Sequence, residues 1–484
     1  MKKIKLIGLT AFLVASITQT LRAQIGRPNI HDPSTVVEDH GKYYSFGTGG
    51  GGIMSNDGWK WTGGAVRPGG GAAPDALKIG DRFLVVYGAT GGGGNHKGII
   101  YSMWNKTLDP KSPDFKYTEK EIVATSDGYE DNDAIDPGLM LDPNTGRLWL
   151  SYGTYFGFIR MVELDPKTGK RVAGNKPVNV AIVCEASAMM YNDGWYYLFG
   201  THGTCCAGPN STYNIVVGRS KNVTGPFMDN VGRNMLQGGG KMVATTDGDL
   251  LGPGHIGTIK LEKGVQKMSF HWEADLAQGG ASVLGIRPIV WKNGWPIMGD
   301  NVKAGTYEIQ SERRGFGLEL TVDFVAMPRG AGGGFGGGGN STAPVKPMPQ
   351  QQLADVIKDW PTGDIATRLN EFMSRPHQKW SIVPAPDSSG YLGAPYYKIV
   401  IAGTDRALTA TADGRVITVP KYTGAAEQLW MIDQLTDGTY RIMPKQMPNS
   451  TEKLALVSFG DATPALAKFD PNSDNSKWNF KAQQ

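Results

Sequence analysis

One pattern returns five times along the chain and limits the folds open to it. A polar or charged residue leads into an apolar stretch, then a glycine turn, then an aromatic strand that ends in glycine. The copies occupy residues 32–47, 74–88, 136–153, 185–200 and 287–299. Each reads as two short strands joined by a tight turn. Regular short strands of this kind build either a sandwich or a propeller. In four of the copies an acid stands at or next to the start of the first strand: Asp32, Asp75, Asp136 and Glu185. A sandwich gives no reason for that recurrence. In a propeller the innermost strands surround one axis, so their leading residues converge at one mouth. The expectation is an all-β chain with a five-bladed β-propeller over residues 24–302. With 67 glycines among 484 residues and only 19% charged residues, the composition suits many turns and disfavours coiled coils or long helices.

A second unit begins before the obvious boundary. The glycine run at 329–340 and the Pro/Gln-rich stretch after it look like a linker. However, Gly305-Thr306-Tyr307-Glu308-Ile309 precedes that run, and related segments return at 395–399 and 438–442. Each is followed at a distance by a tryptophan end: Gln378-Lys379-Trp380, Gln428-Leu429-Trp430 and Ser476-Lys477-Trp478. Three openings and three closures resemble a ricin-type β-trefoil, whose repeats end in Gln-x-Trp. Residues 303–484 are therefore expected to form a β-trefoil-like domain, with the Gly/Pro-rich insertion at about 329–352 lying inside its first repeat. Such a segment buries too little to offset the entropy of ordering it. Shallow pockets, one per repeat, could bind sugar; the competing reading makes the three tryptophans core.

Residues 1–23 have the form of a signal peptide: Lys2, Lys3 and Lys5, an apolar run, then a small-residue exit at Ala23. An exported protein is expected. This segment carries four cations and no acid, so its removal takes the formal charge from +4 to zero. Nucleic acid is not an expected partner, and no other stretch is apolar enough to span a membrane. Three cysteines, Cys184, Cys205 and Cys206, are no disulfide framework. A bond between Cys205 and Cys206 would join Cα atoms about 3.8 Å apart, below the usual disulfide range. A vicinal pair and two packed thiols both stay open.

Asp32, Asp136 and Glu185, read as equivalent ends of different blades, would share one pocket. Like charges in a confined site push their pKa values apart, leaving one protonated acid and one ionised base. Glycoside hydrolysis needs such a pair. No Gly-x-Ser-x-Gly elbow, His-Glu-x-x-His helix or phosphate-binding loop competes with it, and seven scattered histidines make a zinc cluster unexpected.

The ordered segments His31-Asp32-Pro33-Ser34, Ala73-Pro74-Asp75, Ala134-Ile135-Asp136-Pro137, Cys205-Cys206 with Asn210-Ser211-Thr212-Tyr213, Gly218-Arg219-Ser220, Gly252-Pro253-Gly254-His255 and Ile286-Arg287-Pro288 resemble the arabinanases of glycoside hydrolase family 43. The resemblance implies hydrolysis of α-1,5-linked arabinofuranose in plant arabinan or arabino-oligosaccharides, with inversion. It makes Asp32 the general base, Glu185 the general acid and Asp136 the residue that tunes and orients the acid. It makes His255 the ligand of a mostly water-coordinated ion, usually calcium. Substrate contacts would come from His31, Asp133, Ala134, Ile135, Thr154, Tyr155, Phe156 and Arg287. Two departures bear on the substrate. Gly92-Gly93-Gly94-Asn95 lacks the aromatic wall of the family, and Thr154-Tyr155-Phe156-Gly157-Phe158 stands where the family has Ser-Phe-Trp-Gly-Gly. An endo-acting enzyme is the expectation, with an exo-acting arabinofuranosidase or xylosidase of the same family, or a non-catalytic glycan-binding propeller, as the alternatives.

Overall fold

A computed structural model describes residues 24–322, 352–459 and 463–483. The expected signal segment and nearly all of the Gly/Pro-rich insertion lie outside the described residues. Within them, the N-terminal part forms five antiparallel sheets around one axis, a five-bladed β-propeller. The innermost strands are Val37–Asp39, Ala72–Ile79, Gly138–Leu141, Glu185–Asn192 and Leu250–Glu262, which pack in sequence against one another. Each is followed by progressively outer strands, so a blade is a simple meander. Several of the hairpin turns are of the tight two-residue kind that needs two positive φ angles: His40-Gly41, Asp193-Gly194 and Asn293-Gly294. Residues 28–30 close the ring by pairing with blade five, where Asn29 bridges Val283 and the Leu284 N–H donates to the Pro28 carbonyl (2.9 Å). Between blades the sheets bury apolar faces. Tyr197 and Phe199 of blade four, for example, share a cluster with Met268, Phe270 and Trp272 of blade five.

The fifth sequence copy is out of step with the others. Residues 287–299 fall on the outer pair of blade five, Ala281–Lys292 with Trp295–Met298. The inner strand of that blade is Leu250–Glu262, which Asp249 precedes and which lies outside the five sequence copies. Arg287 therefore does not face the axis. Its Nε lies 3.7 Å from Asp300 Oδ1, on the side of Tyr397 in the C-terminal domain.

The C-terminal domain is a β-trefoil. Strands Gly305–Ser311, Trp380–Pro384, Tyr397–Ile401, Trp430–Gln434, Tyr440–Pro444 and Trp478–Ala482 pair in a closed circle, each opening strand alternating with a tryptophan strand. The hairpins that cap this barrel pair Gly317–Leu320 with Ile365–Asn370, Ala407–Ala410 with Val416–Val419, and Ala455–Phe459 with Thr463–Ala467. All three tryptophans are fully buried, and each donates its ring N–H to a leucine carbonyl of a capping hairpin: Trp380 to Leu318, Trp430 to Leu408, Trp478 to Leu456. They are core, not sugar platforms. Gln378 and Gln428 accept the N–H groups of Met373 and Thr423; Ser476 accepts that of Asp470 with one shorter arm, which explains how the third repeat tolerates serine. The Gly/Pro-rich insertion falls in the chain between Gly317–Leu320 and Ile365–Asn370, two strands that pair with each other.

The trefoil is clamped to the propeller. Leu392 enters a propeller cluster with Val36, Trp61, Leu284 and Ile286. Gly58 lets it approach, since a Cβ there would meet the Leu392 backbone at 2.6 Å. Beside it, buried Lys267 of blade five reaches Asp433 (3.1 Å), which Arg441 also binds (2.8 Å).

Candidate active site

A repeated backbone device builds the mouth of the propeller. At the head of each blade's inner strand one non-glycine residue takes a left-handed conformation: Asp32, Ala73, Asp136, Ala186 and His255, with φ between 46 and 56°. The pairing around each is the same. In blade two Ala72 faces Gly88 and Asp75 faces Val86; in blade four Glu185 faces Thr201 and Ala188 faces Phe199; in blade five Gly254 faces His271 and Gly257 faces Ser269. Three steps on the inner strand match two on its neighbour, which is a β-bulge. Blades one and three repeat the spacing through Thr48 N–H to the His31 carbonyl and Gly153 N–H to the Ile135 carbonyl. The bulge frees the N–H of the left-handed residue, and in four of the five blades the preceding blade satisfies it. Asp32 N–H donates to His271 Nδ1 (2.8 Å), Ala73 to Thr48 Oγ1 (3.0 Å), Ala186 to Asp136 Oδ2 (3.2 Å) and His255 to Thr201 Oγ1 (2.9 Å).

This register corrects the reading of the three carboxylates as equivalent. Asp32 and Asp136 hold the left-handed position. Glu185 stands one residue earlier, in the place of His31, Ala72, Ile135 and Gly254, and Ala186 takes its blade's left-handed position. Asp75 lies beyond the bulge and has a structural task. Its buried carboxylate accepts the N–H groups of Thr35 (3.0 Å) and Leu139 (2.8 Å), tying blades one, two and three together.

The three carboxylates nevertheless meet, and their surroundings differ. Burial opposes ionisation of Asp32, but the hydrogen bond and the charge of His31 outweigh it near neutrality and hold the carboxyl well below the usual range. Thr48 also donates to it (2.6 Å). Glu185 is pushed up to about 7, chiefly by burial and further by Asp32 and Glu273, against the hydroxyl that Tyr213 donates to it. Burial and the charges of Glu185 and Asp32 raise Asp136 as well, against the Ala186 N–H. Asp136 and Glu185 repel each other, so the pair retains at least one proton near neutrality while Asp32 is ionised.

His31 bridges Asp32 (Nδ1–Oδ2 3.0 Å) and Glu273 (Nε2–Oε1 3.1 Å). Burial disfavours its charge, yet the Asp32 and Glu273 hydrogen bonds prevail and push it up to about 10. Behind it, burial pushes His271 down to about 3. A neutral imidazole suits the acceptor role of its Nδ1 toward the Asp32 N–H.

The other expected contacts divide. Tyr155 borders the carboxylates and feels the charges of Glu185 and Asp136. Phe156, 48% exposed, packs beside it with ring centroids 4.6 Å apart. Asp133 and Ala134 are 0% exposed and Thr154 is 2% exposed, so these three frame the site rather than touch a ligand. Asp133 accepts the Gly94 N–H (3.2 Å), and Thr154 Oγ1 accepts that of Phe156 (3.3 Å). Ile135 is buried beneath the glycine loop, against Gly88 and Gly91.

His271, Glu273 and Tyr213 were not singled out from the sequence as site residues. A signal existed for the first two. Lys267, Ser269, His271 and Glu273 alternate with Met268, Phe270 and Trp272 on a strand buried throughout. A polar row on a strand with no exposed face marks a site or an ion-pair network. Cys205 and Cys206 are joined as a vicinal disulfide, and Cys184 is free and buried.

The sequence model of "Glycosyl hydrolases family 43" matches residues 28–296, more than half of the chain. The chain belongs to glycosyl hydrolase family 43. A second model, "Ricin-type beta-trefoil lectin domain-like", matches residues 376–463. Among the family 43 relatives is an extracellular exo-α-(1→5)-L-arabinofuranosidase of Cellvibrio japonicus, 33% identical over 38% of this chain and 57% of that protein. A probable arabinan endo-1,5-α-L-arabinosidase A of Aspergillus oryzae is 30% identical over 56% of this chain and 91% of its own. Among solved structures, an exo-1,5-α-L-arabinanase from a bovine ruminal metagenomic library is 32% identical, covers 57% of this chain and 98% of its own, and has a TM-score of 0.53. The match to the Cellvibrio enzyme thus spans little more than half of that relative.

As to a metal, His255 is buried. Its Nδ1 is 3.7 Å from Asp32 Oδ1, and burial depresses its pKa, so it presents a neutral imidazole. One neutral nitrogen beside a carboxylate oxygen fits a hard divalent cation whose other ligands are mostly water.

Proposed function

We propose that this protein is an exported hydrolase of plant arabinan that cleaves α-1,5-L-arabinofuranosidic bonds with inversion, in the endo mode. The observation that carries it is the contrast, within one mouth, between Asp32, held ionised chiefly by its bond to His31, and Glu185, held protonated up to about pH 7. Inversion needs an ionised base to take a proton from water and a protonated acid on the leaving oxygen. Asp32 suits the first role, with its carboxylate fixed by His31 and Thr48. Glu185 suits the second. Asp136, bonded to the Ala186 N–H, fixes the segment that carries Glu185, and the burial of the two together keeps a proton on the pair.

His255 would hold a calcium ion, which would add positive charge to the site. The arabinan specificity is carried over from the relatives, whose names include both endo and exo enzymes. The endo mode is favoured by the loop at 91–95. Gly92, Gly93 and Asn95 are exposed, and glycines 92–94 put no side chain across the cleft. The removal of residues 1–23 as a leader, which would place the enzyme outside the cytoplasm, agrees with the extracellular relatives.

The test is a time course on linear 1,5-arabinan beside xylan, with products sized by chromatography. Mixed oligomers appearing early from arabinan alone support the proposal. Monomer alone would replace endo by exo, and no cleavage of either polymer would overturn it.

A further inference from the structure

The disulfide lies at the catalytic mouth, in the loop between strands Trp195–His202 and Asn214–Ser220 of blade four. Cys206 is exposed and Cys205 half-buried. Both Sγ atoms lie within 4.8 Å of a His31 ring nitrogen and a Glu273 carboxylate oxygen, and His31 is itself bonded to Asp32. The loop is firmly held. The Cys206 N–H donates to Glu273, Ser211 Oγ to the Thr204 carbonyl (2.8 Å), and the Thr204 N–H to Thr212 Oγ1 (3.0 Å).

The side chains that bind or pair with Asp32 are polar: His31, Thr48, His255 and His271. A furanose ring bound over Asp32 offers hydroxyls to such groups, but it also has C–H faces that gain nothing from them. A disulfide has no N–H or O–H to desolvate, and its sulfurs are large and polarisable. Cross-linked and anchored to Glu273, it loses almost no conformational freedom when a ligand packs on it. Tyr155 of blade three borders the same carboxylates from a different blade, so a ring over Asp32 has an aromatic edge on one side and the sulfurs on another.

We propose that the Cys205–Cys206 disulfide is a substrate-binding surface, packing against the apolar face of the arabinofuranose ring held over Asp32 and His31. This rests on the arabinan reading above. The contact involves no reacting atom, so it stabilises bound substrate and transition state alike and acts on KM rather than kcat.

The experiment compares the full chain with its Cys205→Ser/Cys206→Ser double variant on an aryl α-L-arabinofuranoside and on arabinotetraose. Both place a sugar over Asp32. The expected result is a KM about ten-fold higher on both substrates, with kcat within about two-fold and an unchanged melting temperature. Treatment of the wild type with a phosphine gives a second measurement that needs no folded variant. The disulfide takes two electrons and two protons to become two thiols, while the phosphine is oxidised and takes its oxygen from water. KM should rise in the same way and return on reoxidation.

Unchanged KM in both experiments overturns the proposal. A fall in kcat at constant KM also overturns it, by showing that the bond serves to hold His31 and Glu273 in place. Wild-type protein that turns over neither substrate, a result read before any variant is made, overturns the arabinan reading and this inference with it.

Discussion

Tyr213 offers a way to move the acid without touching it. Its hydroxyl donates to Glu185, and this bond favours the ionised carboxylate, opposing the burial that pushes Glu185 up to about 7. Tyr213→Phe removes the donor and keeps the ring, which stacks 6.0 Å from His271. A hydrogen bond to a charged acceptor is worth about 1.5–3 kcal/mol. At about 1.4 kcal/mol per pKa unit, the Glu185 pKa should rise by about one to two units. A general acid works only while it holds its proton, so the rate falls as pH rises through its pKa. The alkaline limb of kcat/KM, which reports the free enzyme, should therefore move from about 7 in the wild type to about 8–9 in the variant. The assay is a pH profile on a soluble arabino-oligosaccharide, from mildly acidic to alkaline, with melting curves at each end. An alkaline limb that stays in place or moves to lower pH would refute the assignment of Glu185 as the acid.

Other perturbations test separate parts of the molecule. Glu185→Gln should abolish polymer cleavage, a loss of at least about 10²-fold, and preserve binding; near-normal turnover would remove Glu185 from the mechanism. Chelation should lower activity in the wild type and have no further effect on His255→Ala, whereas an unchanged rate with no metal by elemental analysis would exclude the ion. Asp433→Ala strands the buried Lys267 ammonium and should cost about 3–5 kcal/mol in denaturant unfolding. For the same reason, and because Leu392 fills a propeller cluster, deletion of 303–484 should give an unstable, poorly soluble propeller; a soluble, fully active fragment would show that the clamp is dispensable.

Much of this protein is written locally in its chain. Alternation with period two, turns such as Asp193-Gly194 and the recurring tryptophan ends are short-range features. They were enough to announce a propeller, a trefoil and a glycine-rich insertion within the first trefoil repeat. Asp32, Asp136 and Glu185 could be chosen because each leads a hairpin. What the chain could not reveal alone is which strand of a blade lies innermost and which residue a bulge turns toward the axis. Those follow from ring closure, which sets every blade against its neighbours at once. Hence Arg287, leading a hairpin like the others, lies on the outer half of blade five, and Glu185 stands one residue out of step with the two aspartates. Burial is likewise a tertiary property. Asp133, Ala134 and Thr154 flank the site in sequence but frame it in space, while His271 and Glu273, about 240 residues from Asp32, complete it. The sequence supplied the groups that can carry a proton. The folded ring decided which of them would keep it, because solvent exclusion and neighbouring charge exist only once the blades have met.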